Sequence, residues 1–208
     1  MMDGSANTKE LLLTSARDEF LKNGYEKASL RTICKNAGLT TGALYFFFKN
    51  KEYLFDSLVK NVSVNFKNII NTYAKIEKEE YQKSLSIGQP YSISSDVEHE
   101  KEFMKYIYAN KTAFILLAFR AQGSSYENYY HEITNLIEGK FYDFLNLYQD
   151  RSHSHITRFT IHCLVSWRIR SYLDILNSEL TIEEALAQTE VVANFAVGGW
   201  NRIIETLT

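Results

Sequence analysis

A group of hydroxyl, aromatic and basic side chains close together in the N-terminal quarter of the chain could bind the backbone and base edges of a nucleic-acid duplex. Thr40 and Thr41 carry hydroxyl and methyl groups, and Tyr45 carries a phenolic hydroxyl. Such groups contact phosphates or base edges, and a methyl can meet thymine. Lys49 and Lys51 lie at the start of the next predicted helix, where free N–H groups favour an anion. The pattern predicts a phosphate clamp beside a helix that reads a groove.

Glycines and capping residues divide this region into short helices that would position those side chains. Gly24 and Gly38 each follow an apolar-periodic stretch and predict helix ends. Ser29 and Asn50 predict helix starts, because their side chains can accept from the free N–H groups of a first turn. Two short helices joined at a glycine turn have the spacing of a helix-turn-helix. The helices expected from these signals cover residues 8–23, 30–37, 41–47 and 51 to about 76.

The third predicted helix has two different faces. Leu44, Phe47 and Phe48 are three or four residues apart and are expected to pack on the first two helices. The opposite face is expected to point outward and comprises Thr41, Gly42, Tyr45 and Phe46. Gly42 would allow a close approach of the backbone. Phe46 would pack on a sugar or a thymine methyl, or on protein.

Four short motifs follow one another in this region: Gly24-Tyr25, Ala37-Gly38, Gly42-Ala43-Leu44-Tyr45-Phe46-Phe47-Phe48 and Lys51-Glu52-Tyr53-Leu54. In this order they resemble the N-terminal domain of the TetR family of transcriptional regulators, over about residues 8–60. Phe47 departs from the family pattern, because it stands where the family commonly has a histidine that touches phosphate. Packing alone is expected of Phe47.

The resemblance implies that the chain contacts double-stranded operator DNA. The DNA-facing positions that it carries over are Ser29, Thr40, Thr41, Gly42, Tyr45 and Lys51, and the outward face of the third helix adds Phe46. Ser29 and Thr40 would also cap helices in any protein, so a purely structural role stays open for both. One short helix has few base-reading groups, so a palindromic operator read by a homodimer is expected. Few lysines line this surface, which predicts a modest salt dependence of binding.

The remaining three-quarters of the chain resemble the variable helical domain of that family only in architecture, and the resemblance implies binding of a small molecule and dimerisation. An apolar pocket that suits a small apolar effector, or simply a hydrophobic core, is expected from Phe66, Phe103, Tyr106, Ile107, Phe114, Leu117, Phe141, Phe144, His162 and Trp167. Two companion stripes predict either a four-helix dimer interface or an intrachain core. They comprise Phe159, Cys163, Trp167, Arg170 and Leu173, followed by Val192, Phe195, Ala196, Gly199 and Ile203.

Residues 81–98 are polar and contain Gly88 and Pro90, so the sequence predicts a long loop or a frayed helix end there. Helices are expected again over residues 97–110, 111–121, 126–149, 155–177 and 181–206. The segment Glu98-His99-Glu100 is interpreted as solvated charge, and His153 and His155 are spaced so that their rings diverge on a helix. No catalytic constellation, metal site or cofactor-binding motif is therefore expected, and the chain is not predicted to be an enzyme.

Composition is consistent with this interpretation. The net charge is −2, but residues 1–60 hold nine Lys and Arg against seven Asp and Glu, so their net charge is +2 and that of the remainder is −4. A mildly basic N-terminal region is compatible with phosphate contact. Two cysteines, no signal-peptide pattern and no apolar run near the roughly 20 residues of a membrane span predict a cytoplasmic protein without a membrane partner.

The sequence therefore predicts an all-α chain. Residues 1–52 would form a three-helix helix-turn-helix DNA-binding domain, and residues 53–208 a helical effector-binding and dimerisation domain, with the fourth helix connecting them from about residue 51. The function implied by the resemblance is a ligand-responsive homodimeric regulator, a repressor released from its operator by a small apolar effector. The alternative is a helical ligand- or partner-binding module without functional DNA binding.

Overall fold

The computed structural model describes residues 2–87, 94–145 and 156–205, and these residues form nine α-helices and no β-strand. The all-α class predicted from the sequence is therefore confirmed. The helices are α1 (Met2–Lys27), α2 (Leu30–Asn36), α3 (Thr41–Phe47), α4 (Lys51–Ser86), α5 (Ser94–Ala109), α6 (Lys111–Phe119), α7 (Tyr129–Leu145), α8 (Arg158–Leu176) and α9 (Ile182–Glu205). His153 and His155 lie outside the described residues.

Helices α2, α3 and α4 begin where the capping signals predict, whereas α1 begins at Met2, before the expected residue 8, and continues past Gly24 to Lys27. Gly24 has a φ of 72° and breaks the helical conformation inside α1, and Gly38 has a φ of 69° after α2. Both angles favour glycine over residues with a Cβ. The Thr40 hydroxyl accepts from the Ala43 N–H at 3.1 Å and caps α3. The Asn50 side chain accepts from the Tyr53 N–H at 3.0 Å and caps α4.

The long loop or frayed helix end expected over residues 81–98 is helical at both ends of that range. Helix α4 continues to Ser86 and α5 already begins at Ser94, and residues 88–93 lie outside the described part of the chain. Tyr81 is buried and its ring lies 5.0 Å from the ring of Phe144. Polar residues here belong to helix faces that are partly covered, so polarity alone did not indicate a loop.

The described helices divide into two compact units. The first unit comprises Met1–Asn65 and Asn110–Tyr130, and the second comprises Phe66–Ala109 and His131–Thr208. These units are defined by packing alone. The division into a DNA-binding domain that ends at residue 52 and an effector-binding domain that follows it therefore stays a prediction.

The first unit has a core formed by α1, α2, α3, the start of α4 and α6. Its fully buried side chains include Leu12, Ala16, Phe20, Ile33, Leu44, Leu54, Phe55 and Val59. Two polar bonds tie α1 to the turn and helix that follow it. The Ser15 hydroxyl donates to the Ile33 carbonyl at 2.8 Å, and the Ser29 N–H donates to the buried Glu19 carboxylate at 3.0 Å.

The second unit is built around α5, α8 and α9, where α5 packs along α9. Met104, Val165, Leu176, Ala185 and Ala193 form its most deeply buried apolar positions. Thr181 and Glu184 form a capping box at the start of α9, because the Glu184 N–H donates to the Thr181 hydroxyl at 3.3 Å and the Thr181 N–H donates to the Glu184 carboxylate at 2.9 Å. No described helix is both long and apolar enough to cross a membrane.

One correction concerns Glu98-His99-Glu100, which the sequence analysis treats as solvated charge. Glu100 is buried, and its carboxylate lies 3.1 Å from the guanidinium of Arg168 on α8. His99 is half-buried, with Nδ1 3.4 Å from the Glu77 carboxylate on α4. A buried charge needs a partner of opposite charge. Arg168, which is distant from Glu100 in sequence, is that partner.

Candidate nucleic-acid interface

Helix α3 packs on the first two helices through one face. Leu44 and Phe48 are buried, whereas Phe47 is half-buried. Phe48 follows the last turn, and its N–H donates to the Leu44 carbonyl at 2.9 Å. This packing is the one predicted from the spacing, with Phe47 at the boundary between the core and the surface.

The opposite face of α3 is exposed, as predicted. Thr41 and Gly42 are exposed, Tyr45 is 57% exposed and Phe46 is 79% exposed. The ring of Phe46 lies 5.0 Å from that of Phe47 at an interplanar angle of 88°. The edge contact holds Phe46 beside the helix without covering it. The exposed surface therefore presents a hydroxyl, a phenol and an aromatic ring on one short helix, a combination that can meet phosphate, sugar and base methyl groups.

Ser29 and Thr40 both act as helix caps. The Ser29 hydroxyl accepts from the Thr32 N–H at 3.4 Å and is half-buried, whereas Thr40 is exposed. The capping role expected for each residue in any protein is therefore present. A contact with phosphate stays a prediction for both, and the exposure of Thr40 makes it the more accessible of the two.

The sequence analysis assigns Lys51 to the phosphate clamp, but in the structure its ammonium group also binds the protein itself. Its ammonium group donates to the carbonyls of Glu26 at 3.1 Å and Ala28 at 3.2 Å, and lies 4.6 Å from the centre of the Tyr25 ring. Burial lowers the pKa of Lys51, although the nearby carboxylates of Glu26 and Glu52 act in the opposite direction. An ammonium has three N–H donors, so one remains for a phosphate.

Lys49 is the more accessible cation beside α3. It is exposed, and its ammonium lies 5.9 Å from the centre of the Tyr53 ring. Because α4 begins two residues later, a phosphate at this helix start would meet both free N–H groups and the Lys49 charge. The two lysines of the predicted phosphate clamp therefore differ in accessibility: Lys49 is exposed, whereas Lys51 is partly occupied by hydrogen bonds to the protein.

Polar bonds that the sequence analysis missed join the start of α4 to the segment between α6 and α7. The Glu52 carboxylate accepts from both the N–H and the hydroxyl of Ser125, and the Tyr126 hydroxyl donates to the Asp56 carboxylate at 2.6 Å. Burial alone would raise the pKa of Glu52, but hydrogen bonds from Ser125 and Tyr25 outweigh burial and lower it. We call Glu52, Asp56, Ser125 and Tyr126 the α4 brace.

The sequence indicates the two carboxylates of the α4 brace but not the two residues that donate to them. Glu52 and Asp56 are four residues apart, which places both carboxylates on one face of α4. Their partners are more than 65 residues away in sequence and follow no pattern that identifies them.

The residues expected to bind an effector occupy several places. Phe114 and Leu117 are buried in the first unit, and the other eight belong to the second unit. Phe66 lies 6.0 Å from Phe103 and 6.1 Å from Tyr106 between ring centres. Ile107 is buried, and Phe144 contacts Tyr81.

The remaining effector candidates are on α7 and α8. Phe141 stacks on Trp200 at 4.7 Å, and His162 is exposed with Nδ1 2.7 Å from the Glu138 carboxylate. Trp167 is partly exposed and contributes to a groove between α8 and α9. The assignment of all ten residues to one effector site stays a prediction.

The groove between α8 and α9 has a volume of about 280 Å³. Its lining consists of Leu164, Val165, Trp167, Arg168, Phe195, Ala196, Gly199, Trp200 and Ile203. Five of these are residues that the sequence analysis assigns to a dimer interface. The Trp167 and Phe195 rings lie 5.2 Å apart.

The predicted dimer stripes are largely uncovered in the single chain. Their exposed members are Phe159, Cys163, Trp167, Arg170, Phe195 and Gly199, and Leu173, Val192 and Ile203 are half-buried. Ala196 is buried. Phe159 is 75% exposed and Phe195 is 71% exposed, which is unusual for phenylalanine. The alternative of an intrachain core for the whole stripe therefore does not hold at these two positions.

The fold and this surface define a class: an all-α protein with an N-terminal helix-turn-helix whose second helix has an exposed face. Residues 12–58 match the family model described as "Bacterial regulatory proteins, tetR family". The resemblance of the N-terminal region to the TetR family, inferred from its motifs, is therefore confirmed over these residues.

Curated relatives match mainly this N-terminal domain. The HTH-type transcriptional regulator UidR of Escherichia coli (strain K12) is 36% identical over 52 residues, which cover 25% of this chain and 26% of that protein. The HTH-type transcriptional repressor BepR of Brucella suis biovar 1 is 38% identical over 55 residues, which cover 26% of each protein. The chain thus matches about a quarter of the length of these relatives.

The similarity in fold extends much further. A transcriptional regulator of the TerR/AcrR family from Aquifex aeolicus VF5 has a TM-score of 0.56 at 19% identity, covering 88% of this chain and 96% of that one. The fatty acid degradation regulator FadR from Bacillus halodurans has a TM-score of 0.52 at 14% identity, covering 92% and 95%. At these identities the likeness concerns the fold alone.

The unequal roles of the two lysines give a first prediction. Lys51→Met keeps most of the side-chain stem but removes two hydrogen bonds to carbonyls, so we expect the free energy of unfolding to fall by about 1–2 kcal/mol. Lys49→Met at an exposed position should change it by less than about 0.5 kcal/mol. Urea unfolding measures both values. A Lys49 variant that is the less stable of the two would contradict this assignment.

A second prediction concerns the pH dependence of the α4 brace. Because the folded-state pKa of Glu52 is lowered, its stabilisation is fully present above the unfolded-state pKa and is lost as the pH falls through the folded-state value. Glu52→Gln should therefore lower the free energy of unfolding by about 1 kcal/mol or more at pH 7, and the difference should shrink in acid.

Urea titrations of the parent and the variant at neutral and acidic pH measure this difference. Glu10→Gln, an exposed position on α1, serves as the control. A difference that is unchanged or larger in acid would show that Glu52 does not act through its carboxylate.

Proposed function

We propose that this chain is a ligand-responsive homodimeric transcription regulator that binds a palindromic operator and represses until a small apolar effector releases it. The observation that carries the proposal is the exposed Thr41–Tyr45–Phe46 face of α3, seated on α1 and α2 inside the matched family domain. The named relatives are transcriptional regulators, which supports a regulatory role over an enzymatic one.

In this proposal α3 enters the major groove. The Thr41 hydroxyl and methyl and the Tyr45 phenol contact base edges and phosphates, and Phe46 packs on a sugar or a thymine methyl. The Lys49 ammonium and the first N–H groups of α4 bind a flanking phosphate. Ser29 and Thr40 position their helices by capping, and Thr40 also lies exposed beside the same surface.

Dimerisation through α8 and α9 is supported by their uncovered aromatic side chains. Phe159, Trp167, Val191 and Phe195 are all exposed in the single chain. Water contact with large apolar side chains is unfavourable by about 25 cal/mol for each Å², so a second copy that covers these residues would be stabilised. Two copies also supply the two reading helices that a palindrome requires.

Release by an effector would act through α4. This helix runs from Lys51 to Ser86, so the residues that follow the phosphate clamp belong to the same helix as Phe66, an effector candidate. The α4 brace gives the first turn a defined position, and an effector that disfavours that position need supply only about 1–3 kcal/mol of coupling. An effector that binds the chain and leaves operator affinity unchanged would contradict this mechanism.

The alternative is a helical ligand- or partner-binding module that no longer binds DNA. The observation that favours it is Phe47, which is half-buried and cannot supply the phosphate contact of the usual histidine. A chain that binds apolar ligands but no DNA selected from a random pool would establish this alternative.

A third prediction tests the reading face directly. Tyr45→Ala should weaken binding to a selected operator by about tenfold or more, because a lost base or phosphate contact costs about 1–3 kcal/mol. The midpoint of urea unfolding should stay close to that of the parent, since Tyr45 is 57% exposed. Fluorescence anisotropy with DNA selected from a random pool, or with the promoter of the gene itself, measures the affinity.

Val64→Ala is the matched control, because Val64 is also exposed and lies on α4 away from its first turn. Equal operator affinity of the Tyr45 variant and this control would refute the assigned role of α3.

A fourth prediction concerns the dimer. Phe195→Glu should raise the dimer dissociation constant at least about tenfold, because it places a charge in an apolar interface. The fold of the single chain should tolerate the change, since Phe195 is 71% exposed. Analytical ultracentrifugation over a concentration series measures the constant. Val64→Glu should leave it unchanged, and a Phe195 variant that dimerises like the parent would place the interface elsewhere.

A further inference from the structure

Three side chains on α4 and α5 bring potential metal ligands together within the second compact unit. They are Glu77 on α4 and Asp96 and His99 on α5, all half-buried. One ligand atom from each lies within 4.8 Å of the others. The helix-turn-helix surface uses none of these residues, and the sequence analysis expected no metal site.

The local structure holds these groups in place. Asp96 and His99 are three residues apart and therefore lie on one face of α5. The His99 ring lies 4.3 Å from the ring of Tyr73 on α4, and Tyr73 in turn contacts Phe103 edge-on at 5.1 Å. The aromatic contacts fix the imidazole beside Glu77, so little rearrangement is needed for the three groups to converge on an ion.

The charge of the region favours a cation. The Glu77 carboxylate lies 3.4 Å from His99 Nδ1, and a carboxylate oxygen of Asp96 lies within 4.8 Å of a ligand atom of each. Arg168 also lies in this region, with its guanidinium 3.1 Å from the Glu100 carboxylate. The three proposed ligand groups comprise two carboxylates and one imidazole.

We propose that Glu77, Asp96 and His99 bind a divalent first-row transition metal ion such as Zn²⁺. One imidazole nitrogen and two carboxylates are donors that this class of ion accepts, whereas Mg²⁺ and Ca²⁺ prefer oxygen ligands only. Three protein ligands leave a position open for water or for an anionic ligand. The ion would join α4 to α5 at the Tyr73–His99 contact.

Metal binding to the full-length protein, freed of metal with a chelator, tests the proposal without DNA, so its outcome is independent of operator binding. Equilibrium dialysis with elemental analysis should give one Zn²⁺ for each chain at this site. Zn²⁺ should bind more tightly than Mn²⁺, and Mg²⁺ should bind weakly. Glu77→Gln and His99→Ala should each weaken Zn²⁺ binding at least about tenfold, since changes around a metal site commonly have effects of that size.

Two controls separate this site from other ligands in the chain. Glu102→Gln removes a carboxylate on α5 that pairs with Lys105, and His162→Ala removes a histidine next to the exposed Cys163. Both variants should bind Zn²⁺ like the parent. Co²⁺ at the proposed site should give visible d–d absorption without a thiolate charge-transfer band, because no cysteine is a ligand.

Circular dichroism checks the folding of the metal-free variants. Glu77→Gln preserves the size of the side chain, so it serves as the second test if His99→Ala disturbs packing against Tyr73. Zn²⁺ should raise the thermal midpoint of the parent but not of either variant. The proposal is overturned if the parent binds no Zn²⁺, if the Glu77 variant binds it like the parent, or if only His162→Ala abolishes binding. Those results would leave Glu77 and His99 as an ion pair alone.

Discussion

The burial of Leu44 and Phe48 against α1 and α2 is the constraint on which the rest of the N-terminal surface depends. An α-helix has 3.6 residues per turn. Once Leu44 and Phe48 face the core, Thr41, Tyr45 and Phe46 must therefore face outward without any further interaction. Burial of a leucine or phenylalanine side chain contributes about 1.5–3 kcal/mol each. A seven-residue helix is too short to be stable alone, so these two side chains supply both its stability and its orientation.

The start of α4 is held by polar bonds, in contrast to the apolar seating of α3. Lys51 donates to the end of α1, while Glu52 and Asp56 accept from Ser125 and Tyr126. Hydrogen bonds to charged groups are directional and strong, so small displacements of this turn break several of them together. The proposed response to an effector would require a two-state element, and the several bonds that hold this turn make it the candidate for that element.

The sequence predicted the parts of the fold that depend on local signals. The bounds of α3 agreed with the prediction because Gly38, Thr40 and the aromatic run determine them within ten residues. The interpretation of Glu98-His99-Glu100 as solvated charge was wrong, because Glu100 is polar in sequence but buried against Arg168, a partner 68 positions away. For the same reason the exposed face of α3 was predictable, whereas the carbonyl partners of Lys51, the α4 brace and the Glu77–His99 contact required the tertiary structure.

Cross-linking between the protein and DNA tests the central claim most directly. Operator DNA selected from a random pool and substituted with 5-iodouracil joins covalently, on irradiation, to aromatic side chains that touch thymine positions. Mass spectrometry of the digested complex should locate the cross-link at Tyr45 or Phe46, in the peptide that contains α3. Cross-links confined to helices of the second unit would contradict the claim that α3 reads the duplex.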